Sequence, residues 1–191
     1  MTYQLHTETT APEASKPLLA ESRKTFGMIP NLHAVLAESP AALEGYKNLH
    51  ELFQQTSFDA GELTVIWQTL NVEHECHYCV AAHTAIASMM KVDPAITAAL
   101  RNGTALPTEK LQVLHATTLE LARERGRPSA ATLNAFFAAG YQQRHVLEII
   151  LGISQKVLSN YVNHIAETPT DKIFSAFTWE GKQSSRQQLS A

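Results

Sequence analysis

Glu73-His74-Glu75-Cys76-His77-Tyr78-Cys79-Val80-Ala81-Ala82-His83 gathers two thiols, three imidazoles and two carboxylates within one short run. These are the only two cysteines in 191 residues. If the run from Cys76 to His83 is helical, Cys76, Cys79, Val80 and His83 share a face, with Glu73 one turn earlier on it. Thiols at i and i+3 on a helix come within the roughly 4.4–6.8 Å Cα separation of a disulfide, so this pair can cycle between dithiol and disulfide. His83, four residues after Cys79, is placed to take a proton from a thiol whose ordinary pKa of about 8.5 leaves it mostly protonated at pH 7. Glu73 can orient a histidine, His77 at i+4 among them. The set supplies a nucleophile, a resolving thiol, a base and a carboxylate.

Each residue also has a plainer reading. Cysteines are often small buried hydrophobes, but two at this spacing in a chain with no others argue against packing alone. Zinc is the stronger competitor, because Cys-x-x-Cys followed by histidine offers three ligands of the right type. A structural zinc joins distant segments, however, and one helical run closes no loop. A permanent disulfide between adjacent helical turns would constrain little of the unfolded chain. His74 and His77 also fit as ordinary solvated helix residues.

The elements that must hold this run are helices. Lys16 to Phe26 reads as a short helix stopped by Gly27, and Pro30-Asn31 as a turn into a second one in which Asn31 caps. Ser39-Pro40 starts a third, with Leu43, Tyr46, Leu49 and Phe53 as its buried stripe. Asp59 with Glu62 forms a capping-box pattern ahead of Leu63, Ile66, Trp67 and Leu70. Asn71 to Glu75 admits either an uninterrupted helix or a break. A break is favoured, because it would set Cys76 and Cys79 in the first turn of a new helix, where the positive dipole end favours a thiolate. That helix is expected to run to about Lys91. Further helices follow from Asp93-Pro94 to Asn102-Gly103, from Pro107 to Arg125, over Ala130 to Ala139, and from Gln143 to Glu167. No stretch alternates as a strand would, so the fold is expected to be all-α, a multi-helix bundle with a faint echo of a duplicated half.

Residues 1–15 read as a flexible N-terminal arm, 16–167 as a single helical domain, and 168–191 as an extended tail that Phe174, Phe177 and Trp179 could anchor. Charged residues make up 17%, below the roughly 25% of average soluble domains, as if other subunits covered part of the surface. A formal net charge of -3 gives no reason to expect nucleic acid or an anionic membrane as partner. The absence of a secretory-type start and of a long apolar run leads to a cytoplasmic expectation, where a close cysteine pair is catalytic or metal-binding more often than a staple.

Cys76-His77-Tyr78-Cys79-Val80-Ala81-Ala82-His83-Thr84 resembles the Cys-x-x-Cys-x-x-x-His core of the carboxymuconolactone decarboxylase and AhpD-like superfamily. Phe26-Gly27-Met28-Ile29-Pro30-Asn31, followed by Ser39-Pro40-Ala41, resembles the opening region of its uncharacterised peroxidase-related branch. The resemblance implies an all-helical fold, obligate homo-oligomers and thiol-dependent reduction of hydroperoxides without a bound organic cofactor. It makes Cys79 the peroxidatic thiol, Cys76 the resolving thiol and His83 part of a proton relay, with an external dithiol or a lipoylated protein as reductant. The relay glutamate of the pattern falls at Thr64 here, with Glu62 two residues away, and Glu73 is expected to take its place. The Asn-Gly that usually precedes the first cysteine is His74-Glu75, and Tyr78 stands before the second. The expected activity is therefore that of a peroxidase-like thiol oxidoreductase. Its competitors are a cysteine-independent lyase like the superfamily's namesake and a non-catalytic redox-sensing or zinc-binding module.

Overall fold

Short polar side chains and left-handed residues punctuate the chain at most helix boundaries. In the computed structural model, which describes residues 3–181, the helices are α1 (Lys16–Phe26), α2 (Asn31–Leu36), α3 (Pro40–Gln54), α4 (Ala60–Glu73), α5 (His77–Met89), α6 (Pro94–Asn102), α7 (Glu109–Arg123), α8 (Ala130–Ala138) and α9 (Gln143–Ala166). Short 3-10 turns lie at Glu13–Ser15 and Lys172–Phe177, and no strand occurs among the described residues. The all-α expectation holds. No helix among those residues is long and apolar enough to cross a membrane.

Caps explain where these helices begin. Ser39, Asp93, Thr108 and Ser129 each accept a backbone N–H of the first turn, and Asp59 with Glu62 completes a reciprocal capping box. Two starts differ from the sequence reading. Thr108 rather than Pro107 opens α7, because its hydroxyl reaches Leu111 N–H at 3.2 Å and a proline offers no such group. Asn31 does not cap α2; it is the first helical residue, and the Asp171 carboxylate accepts its N–H at 3.1 and 3.2 Å. At the other end α5 stops at Met89, short of Lys91, whose φ of 58° leaves the helical region.

The chain divides into two compact units. The first unites residues up to Ser57 with 143–176, and the second unites 58–142 with the chain from Phe177 on. In the first unit, residues 6–15 pack onto α2 instead of forming a loose arm. His6 N–H reaches Ala34 C=O at 3.1 Å, and Ser15 Oγ reaches Ala37 C=O at 2.7 Å. The expected tail likewise acquires structure as far as Trp179, which is buried; residues 182–191 lie outside the described residues.

The first unit encloses polar groups of its own. The hydroxyl proton of Ser22 goes to Leu18 C=O at 2.8 Å, so His33 Nδ1–H donates to Ser22 Oγ, also at 2.8 Å. Gln155 Nε2 donates to His50 Nδ1 at 2.9 Å, and the His50 ring stacks on Tyr46. Burial, aided by nearby Lys47 and His50, pushes His33 down to about 3; burial, aided by Lys156, pushes His50 down to about 4. Both rings are therefore neutral at pH 7, and protonating either one works against folding.

The second unit is organised about α4. Every residue from Glu62 to Val72 is buried, and α5, α6 and α7 pack around it, with α8 against α7. Burial alone would raise the Glu62 carboxyl. Bonds from Lys110, from Asp59 N–H and from the Tyr141 hydroxyl outweigh that and hold it below the usual range.

Because both histidine pKa values fall on folding, the stability they contribute is complete above about pH 6.5 and is lost as pH drops toward 4 and 3. Urea unfolding of the wild type should weaken between pH 7 and 4.5 more than that of His50→Gln, by on the order of 2 kcal/mol. Parallel curves for the two proteins would show that His50 does not carry this acid sensitivity.

Candidate active site

α4 ends in a Schellman arrangement whose last member starts the next helix. Glu75 N–H bonds Val72 C=O at 3.2 Å and Cys76 N–H bonds Asn71 C=O at 2.9 Å, with Glu75 in the left-handed region at φ 53°. This position usually takes glycine, and for another residue it costs about 1–2 kcal/mol. Cys76 then turns extended and becomes the N-cap of α5: its carbonyl accepts from Val80 N–H at 2.9 Å, and its Sγ accepts from Cys79 N–H at 3.4 Å. The break favoured by the sequence is present, and both thiols stand at the positive end of a helix dipole.

Cys76 and Cys79 are each 2% exposed and are not joined by a disulfide. The α5 backbone beside them is pinned to α4 by two buried amides. Asn71 Nδ2 donates to Cys79 C=O at 3.3 Å and to Gln68 Oε1 at 2.9 Å, while Gln68 Nε2 donates to Val80 C=O at 3.1 Å and Thr84 Oγ1 at 3.0 Å. His83, one turn beyond Cys79, is buried, with its ring 4.8 Å from that of Trp67.

The carboxylates are disposed differently from the sequence reading. Glu73 is the last residue of α4, not an earlier turn of the cysteine helix, and the Arg123 guanidinium of α7 grips it at 2.6 and 2.8 Å. At about 100° per residue Glu73 lies nearly opposite Asn71, the residue that bonds to Cys79. Glu62, on the same side as Glu73, is committed to Lys110 and Tyr141. Thr64 does share the Asn71 side; it is buried, and its hydroxyl donates to Ala60 C=O at 2.8 Å. The structure thus brings Cys76, Cys79 and His83 onto one helix and gives Glu73 a separate partner.

Gln68, Asn71, Thr84 and Arg101 escaped the sequence reading. The detectable signal was amide side chains at i and i+3 on a helix that is buried on every side. Arg101 draws the C-terminal segment onto this unit: its guanidinium donates to Thr84 Oγ1 at 3.0 Å, to Phe177 C=O at 3.0 Å and to Thr178 C=O at 2.8 Å. Trp179 Nε1 donates back to Arg101 C=O at 3.1 Å, and Trp179 C=O accepts from His77 Nδ1 at 2.6 Å. The indole packs with Val72 and Val80, the latter adjacent to Cys79. Among the described residues, no three His, Cys, Asp or Glu side chains are grouped to hold a metal ion.

No protein-family model matches the chain, and no curated protein matches it in sequence. Solved structures do match it in fold. One is an uncharacterized peroxidase-related protein from Ralstonia eutropha JMP134, described as an alkylhydroperoxidase AhpD core, with a TM-score of 0.80, 18% identity, and coverage of 90% of this chain and 93% of that one. An uncharacterized peroxidase-related protein from Silicibacter sp. TM1040 aligns with a TM-score of 0.73 and 16% identity over 85% and 87% of the two chains. A cysteine-to-alanine variant of the debrominase Bmp8, in complex with 2,3,4-tribromopyrrole, aligns with a TM-score of 0.76 and 14% identity over 93% and 95%. The fold is that of the AhpD-like helical proteins.

Trp179 lies against the residues that flank the thiols, so Trp179→Ala should speed their alkylation by iodoacetamide about fivefold or more, since a locally opened segment reacts in proportion to its opening. Arg101→Ala, which removes two bonds to the segment's carbonyls, should act in the same direction. Alkylation rates equal to wild type in both variants would show that the segment does not shield the pair.

Proposed function

From an AhpD-like fold with a Cys-x-x-Cys pair at a helix N-terminus, we propose a thiol-dependent oxidoreductase that reduces hydroperoxides through Cys76 and Cys79. The observation that carries this reading is the N-cap geometry: Cys76 Sγ accepts the Cys79 N–H at 3.4 Å, so both sulfurs sit where a helix favours negative charge.

In the first step the Cys79 thiolate attacks the distal oxygen of the hydroperoxide. The O–O bond breaks, the alkoxide leaves as alcohol with a proton from His83, and Cys79 becomes a sulfenic acid. The Cys76 sulfur then attacks Cys79, the S–O bond breaks, water leaves, and a disulfide forms. An external dithiol, free or carried on a lipoylated protein, returns two electrons and two protons. His83 supplies the base that activates Cys79 from one helical turn away. Glu73 has no part in this sequence, since Arg123 holds its carboxylate. Two cysteines kept as a reactive pair suit a reducing compartment such as the cytoplasm.

The same N–H bond favours charge on Cys76, and this supports a second assignment in which Cys76 attacks first and Cys79 resolves. The two are separated by mass spectrometry after one equivalent of cumene hydroperoxide. The wild type should lose both thiols to a Cys76–Cys79 disulfide far faster than free cysteine reacts, and dimedone should label Cys79 in Cys76→Ser. Label on Cys76 in Cys79→Ser alone would reverse the roles. Thiols that stay reduced with peroxide would turn attention to other thiol chemistry, such as the debromination named for one structural neighbour.

The proposal includes self-association. Leu147, Ile150, Tyr161 and Ile165 lie on one face of α9 and are 68, 41, 58 and 66% exposed, a row that another copy of the chain could cover. Light scattering should give a multiple of the chain mass for wild type and a smaller species for Leu147→Glu with Ile165→Glu. A monomeric wild type would refute this part.

A further inference from the structure

Arg101, half-buried in the last turn of α6, carries a charge that no carboxylate meets among the described residues. Its bonds go to neutral oxygens: Nη1 donates to Thr84 Oγ1 and to Phe177 C=O, each at 3.0 Å, and Nη2 donates to Thr178 C=O at 2.8 Å. Arg123 shows the contrast. There the Glu73 carboxylate raises the guanidinium pKa, whereas burial pushes that of Arg101 down. A partly desolvated cation held by carbonyls has lost water without gaining an opposite charge, which makes it a receptor for one.

The acceptors belong to one short stretch of chain. Phe177, Thr178 and Trp179 present three successive carbonyls, the last to His77 Nδ1 at 2.6 Å, so side chains of α5 and α6 hold this stretch down. The Trp179 indole is buried against Val72 and Val80, with its N–H on Arg101 C=O at 3.1 Å. Two oxygens on the two Nη atoms of a guanidinium, beside an aromatic ring in an apolar slot, form the pattern that a carboxylate with an aromatic body would make. The place adjoins the cysteine turn: Thr84 lies five residues beyond Cys79, about 7–8 Å along α5 at the helical rise.

We infer that Arg101, Val72 and Val80 form a binding site for an aromatic carboxylate, which the chain's own Thr178-Trp179 occupies as a stand-in. On binding, residues 177–179 lift, the carboxylate takes both Nη donors in place of the two carbonyls, and its ring takes the place of the indole on the valines. One guanidinium balances one negative charge, and the C-terminal end of α6 disfavours more, so a carboxylate fits better than a doubly charged phosphate. Covalent spacing defines the reach of the ligand. The N, Cα and Cβ of Trp179 separate the Thr178 carbonyl carbon from the indole, as three methylenes separate the carboxylate from the ring in indole-3-butyrate.

The test is a titration of indole-3-butyrate into the reduced full-length chain, followed by backbone amide NMR shifts, beside the neutral indole-3-butyramide. It contains no peroxide, so its outcome does not depend on the thiol chemistry. Saturable shifts at Thr84, Arg101, Phe177 and Thr178 are expected with the acid, with a Kd of about a millimolar or tighter and about tenfold weaker binding of the amide. Arg101→Gln should bring acid and amide to equal, weaker binding. Trp179→Ala, which vacates the slot, should tighten the acid about fivefold or more and keep its lead over the amide, because the apparent Kd falls as the open fraction rises. If either variant fails to fold, the comparison of acid with amide on the wild type still decides. The inference is overturned if no saturable shift appears up to the solubility limit, if the shifts centre away from α5 and α6, if the amide binds as well as the acid, if Arg101→Gln keeps the preference, or if folded Trp179→Ala binds no more tightly.

Discussion

α4 is buried on every side from Glu62 to Val72, so each polar side chain it carries must find its partner inside the protein. Gln68 and Asn71 find theirs in the carbonyls of Cys79 and Val80, and leaving such an amide unpaired would cost about 1–3 kcal/mol. The arrangement fixes more than stability. Because both amides reach the first turn of α5, the register between the two helices is locked beside Cys76 and Cys79. The other side of α4 obeys the same constraint differently, with Glu62 and Glu73 meeting cations from α7.

Cys76 is the joint on which this lock turns. Its N–H closes α4 and its sulfur opens α5, so one residue ends one helix and begins the next with no spacer. The left-handed Glu75 makes so tight a connection possible. A thiol held this way has little freedom to rotate, and its partner Cys79 is presented at a fixed distance along the helix. The near-complete burial of the pair restricts which molecules reach it.

Much of the fold was legible because helix boundaries are written locally. Asp59 with Glu62, Ser39-Pro40 and Asn102-Gly103 each carry their instruction within a few residues, and the helices start and stop there. The break before Cys76 was legible for a subtler reason. His74 and Glu75 replace the residues that usually mark the turn, and only the demand that a reactive thiol sit at a helix N-terminus pointed to it. What failed were inferences that crossed that break. Glu73 shares a face with Cys76 only if one helix continues through both; once the chain turns, its carboxylate rotates toward Arg123, fifty residues on. Asp171 capping α2, Arg101 holding the C-terminal segment and the division into two units are likewise meetings of residues remote in sequence, on which local spacing is silent.

The order in which the units are assembled from the chain has a consequence for synthesis. The second unit is complete through Gln142 before α9, the missing part of the first, has left the ribosome. Only Trp179 and its neighbours remain outstanding, and they follow thirty-seven residues later, about 2–7 seconds at ordinary elongation rates. For that interval the newborn protein holds a finished cysteine helix without its C-terminal cover. During those seconds small molecules around the ribosome approach Cys76 and Cys79 without the segment that Arg101 and Trp179 tie down in the finished chain.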